Sequence, residues 1–167
     1  AIYLLRTYQA NVDELIGALS DMKLNIKKDK ISHCFIEKGF SINQANNRDD
    51  SILCIVKDPV DVFLIEKSGY NGHYHVLDGL LSPLDGVTPE QLNFTALLSV
   101  IKGYNEVIIA LDPSSKGDAT SLYILELLKD FDIKITRLAR GVPVGSALDY
   151  IDELTLTHSI KDRVKIK

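Results

Sequence analysis

The chain has 167 residues, of which 46% are hydrophobic and 25% charged, with a formal net charge of -4. That composition is of an ordinary globular protein with room for one sizeable domain and a small appendage, and its sign excludes bulk attraction to nucleic acid. Two cysteines exclude a disulfide framework and point to a reducing compartment, and no apolar run approaches the roughly 18 residues that a membrane span needs.

Residues 1 to 24 read as helical, with Ile2, Leu5, Val12, Leu15, Ile16, Leu19 and Met22 at helix spacing. The chain opens at Ala1 without a Met and inside this apolar pattern (Ile2, Leu4, Leu5), so further residues upstream are expected. Asn11 and Glu14 have capping-box spacing for a second helix. Lys23, Lys27, Lys28 and Lys30 cluster on a polar link, either as a solvated helix end or as a phosphate-contacting patch. Residues 31 to 50 read as a loop or short hairpin. His33 and Cys34 are adjacent there, and no second Cys pair follows at metal-ligand spacing.

Ile52 to Val56 reads as a strand. Pro59 opens a helix to Lys67, closed by Ser68-Gly69. His73 to Leu77 is the next strand, and the long loop from Asp78 to Val87 has the character of a binding loop. His73 and His75 share one side of their strand, where packing suits them better than a metal without a third ligand. Thr88-Pro89 caps a helix to about Lys102. Val107 to Leu111 is an apolar strand buried on both faces, stopped by Asp112-Pro113. Gly117 and Asp118 open a helix from Ala119 to Phe131. Ile133 to Leu138 alternates as a strand, and Ala147 to about Arg163 is mostly helical with a break at Thr155 to Thr157. The order β-α-β-α-β-α-β predicts an α/β fold with a parallel four-stranded sheet and helices on both faces. Ligands sit at the carboxyl edge of such sheets, so Asp112 to Asp118 is the first place to look for function.

Four stretches carry a family resemblance. Tyr74-His75-Val76-Leu77-Asp78-Gly79-Leu80-Leu81-Ser82-Pro83-Leu84-Asp85-Gly86 resembles the signature YHVLGGxLSPLDG of the RecR family of bacterial recombination mediators. Lys116-Gly117-Asp118-Ala119-Thr120 resembles its EGEAT turn. Arg137 to Gly145 resembles RxARGLPVG, and Asp149 to Leu156 resembles LEYADExTL. Residues 1 to 30 match the end of the family's N-terminal region more loosely, with Ala1 to Leu5 against AxHLL. The resemblance implies a TOPRIM-type α/β domain over 51–138 and a helical remnant of a helix-hairpin-helix region over 1–29. It implies a zinc-finger-like loop over 30–50 and a C-terminal oligomerisation segment over 139–167. It further implies a cytoplasmic bacterial protein, non-enzymatic, acting in DNA repair as a ring-like clamp (homo-tetramer or dimer). Such a clamp binds DNA and RecO, and RecF in many bacteria, to place RecA on single-stranded DNA.

The sequence departs from this pattern in two places. The family's zinc finger needs four cysteines, but Cys34 stands alone in the first position, Glu37 stands where CxxC requires the next, and Cys54 falls in the following strand. One thiolate cannot close a tetrahedral Zn²⁺ site, so a metal-free remnant held by packing is expected, with no cofactor. TOPRIM enzymes use a Glu and an Asp-x-Asp, because Mg²⁺ takes oxygen ligands and offsets charge on the reacting phosphate. Here Lys57 stands in the Glu position and the later motif reads Asp112-Pro113-Ser114. We therefore expect no catalytic residues and a Lys57 to Asp112 pair across adjacent strand ends. The alternative, a metal-dependent DNA-cleaving enzyme, lacks its carboxylate triad; a nucleotide-binding protein would need a phosphate loop such as GxxxxGK[ST], which the sequence does not contain.

The site expectations follow the resemblance. Asp118, Asp61, Asp85 and Asp112 form an acidic partner-binding face for RecO or RecF, with Lys116 in place of the family's Glu altering its charge. Arg137, Arg140, Lys23 and Lys27 contact DNA or a neighbouring subunit. Leu148, Tyr150, Ile151, Leu154 and Leu156 exceed what a free surface segment needs and mediate assembly. The family's main basic DNA contacts lie upstream of Ala1, so restoring such residues is expected to raise DNA affinity and steepen its salt dependence.

Overall fold

A computed structural model describes residues 2–6 and 8–165, without the side chain of Leu4. Ala1, Thr7 and that side chain, on which part of the expected first helix rests, lie outside the described residues, as do Ile166 and Lys167 of the expected assembly segment. Four strands make one parallel sheet: β4 (Asp49–Val56), β5 (Gly72–Val76), β6 (Glu106–Ile109) and β7 (Lys134–Arg137), in the spatial order β5-β4-β6-β7. This is the expected α/β architecture. Period-two alternation sends Leu53, Ile55, Val107 and Ile109 to one face, against α4 (Phe94–Val100) and α5 (Ser115–Leu128). Cys54, Val56, Tyr74 and Val76 face the other way, toward α3 (Pro59–Glu66). Each fully buried aliphatic of this kind is worth about 1.5–3 kcal/mol.

Ahead of the sheet stand α1 (Ile2–Arg6), α2 (Gln9–Asn25) and a small antiparallel sheet of β1 (Ile26–Lys28), β2 (Phe35–Glu37) and β3 (Phe40–Ser41). The lysine link of the sequence reading is thus partly strand, because Ile26 to Lys28 pairs with Phe35 to Glu37. This insert covers the free edge of β5. The Val76 amide donates to the Ser32 carbonyl at 2.8 Å, and the Asn43 amide group both donates to and accepts from the Tyr74 backbone, at 2.9 and 2.8 Å. A side chain here takes the place of a neighbouring strand, which keeps the edge from pairing with another chain.

Several helix boundaries differ from the sequence reading, each for a local reason. Asn11 is no cap: α2 starts at Gln9, and the amides of Asn11 and Val12 both bond the Tyr8 carbonyl. The expected helix from Pro89 is broken, because Asn93 leaves the helical path to serve the fold. Its amide donates to the Leu77 carbonyl and its side chain to the carbonyls of Ile31 and Val76. α5 begins at Ser115, with the Ser114 hydroxyl accepting from the Gly117 amide at 3.1 Å. A Cβ on Gly117 would lie 2.0 Å from the Asp112 carbonyl oxygen, so only glycine lets this turn close. The C-terminal helix α6 is Glu153–Lys161, unbroken at Thr155 to Thr157. The interruption lies upstream, where Asp152 caps the helix by accepting from the Thr155 amide and hydroxyl.

Candidate functional site at the carboxyl edge of the sheet

The chain leaves β4 toward β5 on one side and reaches β6 on the other, so a crevice opens where β4 and β6 end side by side. Lys57 follows β4 and Asp112 lies just beyond β6. The Lys57 ammonium donates to the Asp112 carboxylate across this gap, as expected from the sequence. That bond raises the Lys57 pKa above its ordinary value, with Asp61 and Asp58 adding to it. Asp58 caps α3 by accepting from the Val60 amide at 2.8 Å, and Asp61 reaches back to the Asp58 amide at 3.2 Å. Burial pushes the Asp61 carboxyl above its usual pKa, partly opposed by Lys57. Ser114, in the later Asp-x-Asp position, spends its hydroxyl on the α5 cap. A tethered ammonium occupies the side of the crevice where TOPRIM chemistry requires an oxygen ligand, and a hydroxyl replaces another. This donor set does not fit a Mg²⁺-dependent phosphoryl-transfer centre.

The remaining expected residues divide into pairs. Asp118 and Arg140 meet each other in a two-pronged ion pair, which lowers the Asp118 pKa. One was expected to dock a protein and the other to meet DNA or a subunit; within this chain each spends its charge on the other. Arg137 pairs with Asp162 of the C-terminal segment at 2.8 Å. Asp85 pairs with Lys116 at 2.6 Å and accepts from Ser82, both lowering its pKa. Arg137 and Arg140 line a cleft of roughly 630 Å³ between the ends of β6 and β7 and α6, with Asp118 and His158 on its walls. Lys23 lies in the last turn of α2 and Lys27 in β1, both exposed and well away in the chain from the crevice. Leu148, Tyr150 and Leu154 are exposed, while Ile151 and Leu156 are half-buried.

In the insert, Cys34 is fully buried in the same cluster as Cys54, Val56 and Tyr74. Its thiol approaches the Tyr74 carbonyl at 3.8 Å, and burial pushes its pKa up to about 11. Among the described residues no three His, Cys, Asp or Glu side chains gather as a metal site, and a single thiol cannot close a tetrahedral zinc centre. The residues present therefore do not fit the four-thiolate finger that the resemblance implies. His75 donates from Nε2 to the Asn93 carbonyl at 2.8 Å, and His73 bonds Tyr104 at 3.0 Å, so each has a protein partner.

Two groups escaped the sequence reading. Arg48, nearly enclosed, bonds Glu66 at 2.7 Å and the Gly72 carbonyl at 3.0 Å, and Glu66 also accepts from the Tyr74 hydroxyl at 2.6 Å. Lys28, His33 and Asp78 meet at the junction of insert and sheet. Arg48 lay in a stretch read only as loop, and Lys28 and His33 were noted in the sequence with nothing to join them to Asp78.

Comparison with known proteins decides the family. Residues 51–139 match the Toprim domain and residues 141–164 match the RecR C-terminal region. The recombination protein RecR of Chlorobium chlorochromatii is 38% identical over 175 residues, covering 99% of this chain and 86% of that protein. That of Finegoldia magna is 43% identical over 162 residues, covering 93% and 80%. The chain belongs to the RecR family. RecR proteins are non-enzymatic mediators of recombination and repair, which accords with a crevice whose metal-binding acids have given way to Lys57 and Ser114. No described helix is long and apolar enough to cross a membrane.

Proposed function

We propose that this chain is a DNA clamp and protein-docking platform of the bacterial cytoplasm, assembling as a dimer or tetramer. It binds DNA and RecO, with RecF as a further partner, and helps to place RecA on single-stranded DNA. The observation that carries this reading is the Lys57 to Asp112 bond at the mouth of the TOPRIM crevice. With its own cation in place the crevice has no need of a divalent ion, and what remains is a charged surface bearing Asp58, Asp61 and Asp112. On this reading the protein works without zinc or magnesium. The docking face centres on Asp61, since Asp85, Asp112 and Asp118 are neutralised within the chain by Lys116, Lys57 and Arg140. Lys23 and Lys27, exposed and without an acidic partner among the bonds described, are the stronger DNA contacts; Arg137 and Arg140 are the weaker. The exposed apolar residues of 148–154, with half-buried Leu156, form the assembly surface.

The test measures RecA filament formation on single-stranded DNA coated by single-strand-binding protein, with RecO present and this chain added or omitted. Faster loading on addition, undiminished when the chain has been stripped with a chelator and exchanged into fresh buffer beforehand, supports the reading; no effect on loading, or strand scission that requires Mg²⁺, overturns it. Solution mass with and without the last ~20 residues (the approximate length of the assembly segment) reads the oligomer. An unchanged mass removes that segment from the interface.

A further inference from the structure

The insert reaches the sheet at a cluster that none of the functional reading uses. Asp78, which follows Leu77 just beyond β5, accepts from Lys28 Nζ at 2.6 Å and from His33 Nδ1 at 2.6 Å. Lys28 ends β1, and His33 lies in the turn between β1 and β2. One carboxylate from the sheet therefore holds both sides of the insert's first loop. The two bonds lower the Asp78 pKa despite opposing burial, so the charged form is the one the fold favours. The backbone is bent to make this meeting. Asp78 has φ of +66° and His33 φ of +56°, both in the left-handed region that disfavours side chains. Strained residues persist where the surroundings over-determine them, and here two strained residues face each other across one hydrogen bond.

The consequence reaches beyond the insert. α2 buries no side chain, and β1 follows it directly at Ile26. The placement of the N-terminal helical arm on the α/β domain thus depends on how β1 is held. We propose that Asp78, with Lys28 and His33, is an ionic latch that fixes the insert and the helical arm on the TOPRIM domain, doing by charge what a metal would otherwise do in this loop. The latch is salt-sensitive, since Lys28 is about half exposed. Its release frees the arm while leaving the sheet intact.

Hydrogen exchange on the full chain tests it. The amides of Asp29 and His33 bond within the loop, to Cys34 and Asp29, whereas the Ala110 amide bonds Ile55 inside the sheet. Asp78→Asn and Asp78→Gly should each speed exchange at Asp29 and His33 by about tenfold, the loss of charge-assisted bonds, with Ala110 unchanged. Raising salt from about 0.05 M to about 0.5 M should move wild type toward the variants and leave the variants unaffected. Distances between spin labels at Ser20 in α2 and Ser99 in α4 should broaden in both variants. Asp78→Gly separates charge from strain, because glycine accepts φ of +66° freely. Wild-type protection in Asp78→Gly, equal loss at Ala110, or an unbroadened distance distribution overturns the latch.

Discussion

In β4 every side chain from Leu53 to Val56 is buried, whereas the much longer helix α2 buries none. The same contrast holds at the other end, where α6 also buries none. The sheet is a self-sufficient core with apolar layers on both faces. The flanks carry apolar stripes that no described residue covers: Leu15, Ile16, Leu19 and Met22 on α2, and Leu148, Tyr150 and Leu154 before and within α6. Monomeric proteins rarely leave such stripes open, and exposed apolar patches of this kind mark interaction surfaces. Stability therefore resides in one region and association in the other, and mutations in the two should behave differently.

The largest effect should come from the core. Leu97 is fully buried between α4 and the sheet. Leu97→Ala should lower unfolding free energy by about 2–5 kcal/mol in urea titrations, because transfer and cavity costs add. A cost below about 1 kcal/mol would mean that the sheet's second layer is not the core it looks to be.

Acid should act on the same region through His75. Its ring is buried, with Nδ1 unpartnered and Nε2 donating to Asn93, and burial drives its pKa down to about 4 from an ordinary 6.5. The folded state keeps the ring neutral. Above pH 6.5 neither state holds the extra proton and the contribution is complete. As pH falls from 6.5 to about 4, the unfolded chain takes up a proton that the folded chain refuses, so stability drops by on the order of 3 kcal/mol. His75→Gln, which can still donate to the Asn93 carbonyl, should flatten that limb of a stability-against-pH curve. An unchanged slope would assign the acid limb to other groups.

Arg48 and Lys57 rank next, and they separate buried from exposed charge. Arg48 is nearly enclosed, and its removal strands Glu66 beside the Tyr74 hydroxyl. Arg48→Met should cost about 1–3 kcal/mol by urea titration. Lys57 and Asp112 are a third to a half exposed, so solvent screens their bond. Lys57→Met should change stability by less than about 1 kcal/mol, although it opens the crevice. Equal costs for the two would erase the distinction between fold-holding and surface-shaping ion pairs.

The sheet was legible in the sequence because its strands are short branched-apolar runs stopped by Pro or Gly signals, as at Val56 to Pro59. The Lys57 to Asp112 bond was legible only through the resemblance, which put the two residues in the places where TOPRIM enzymes gather their acids at adjacent strand ends. Helix boundaries were misread where a side chain leaves the periodic pattern to serve a distant carbonyl, as Asn93 does for Ile31 and Val76, or to cap, as Asp152 does for Thr155. The pairing of Asp118 with Arg140 was hidden because it depends on how the segment after β7 folds back. The Asp78 cluster was hidden more deeply. Its partners lie 45 and 50 residues away, and neither left-handed backbone is written in residue type.

The smallest effect is expected on α2, and it is the one that most sharpens the contrast between core and flank. Leu19 is half exposed on the helix's apolar stripe, so Leu19→Ala removes little buried area and trades a good helix former for a better one. In dilute solution it should change stability by less than about 0.5 kcal/mol, read by thermal or urea unfolding. If a second copy or a partner covers the stripe, wild type gains stability with protein concentration and Leu19→Ala does not, because binding to the folded state alone shifts apparent stability by mass action. A large cost that is independent of concentration would mean instead that α2 packs on its own domain, and the division between a self-sufficient sheet and unpartnered arms would fall.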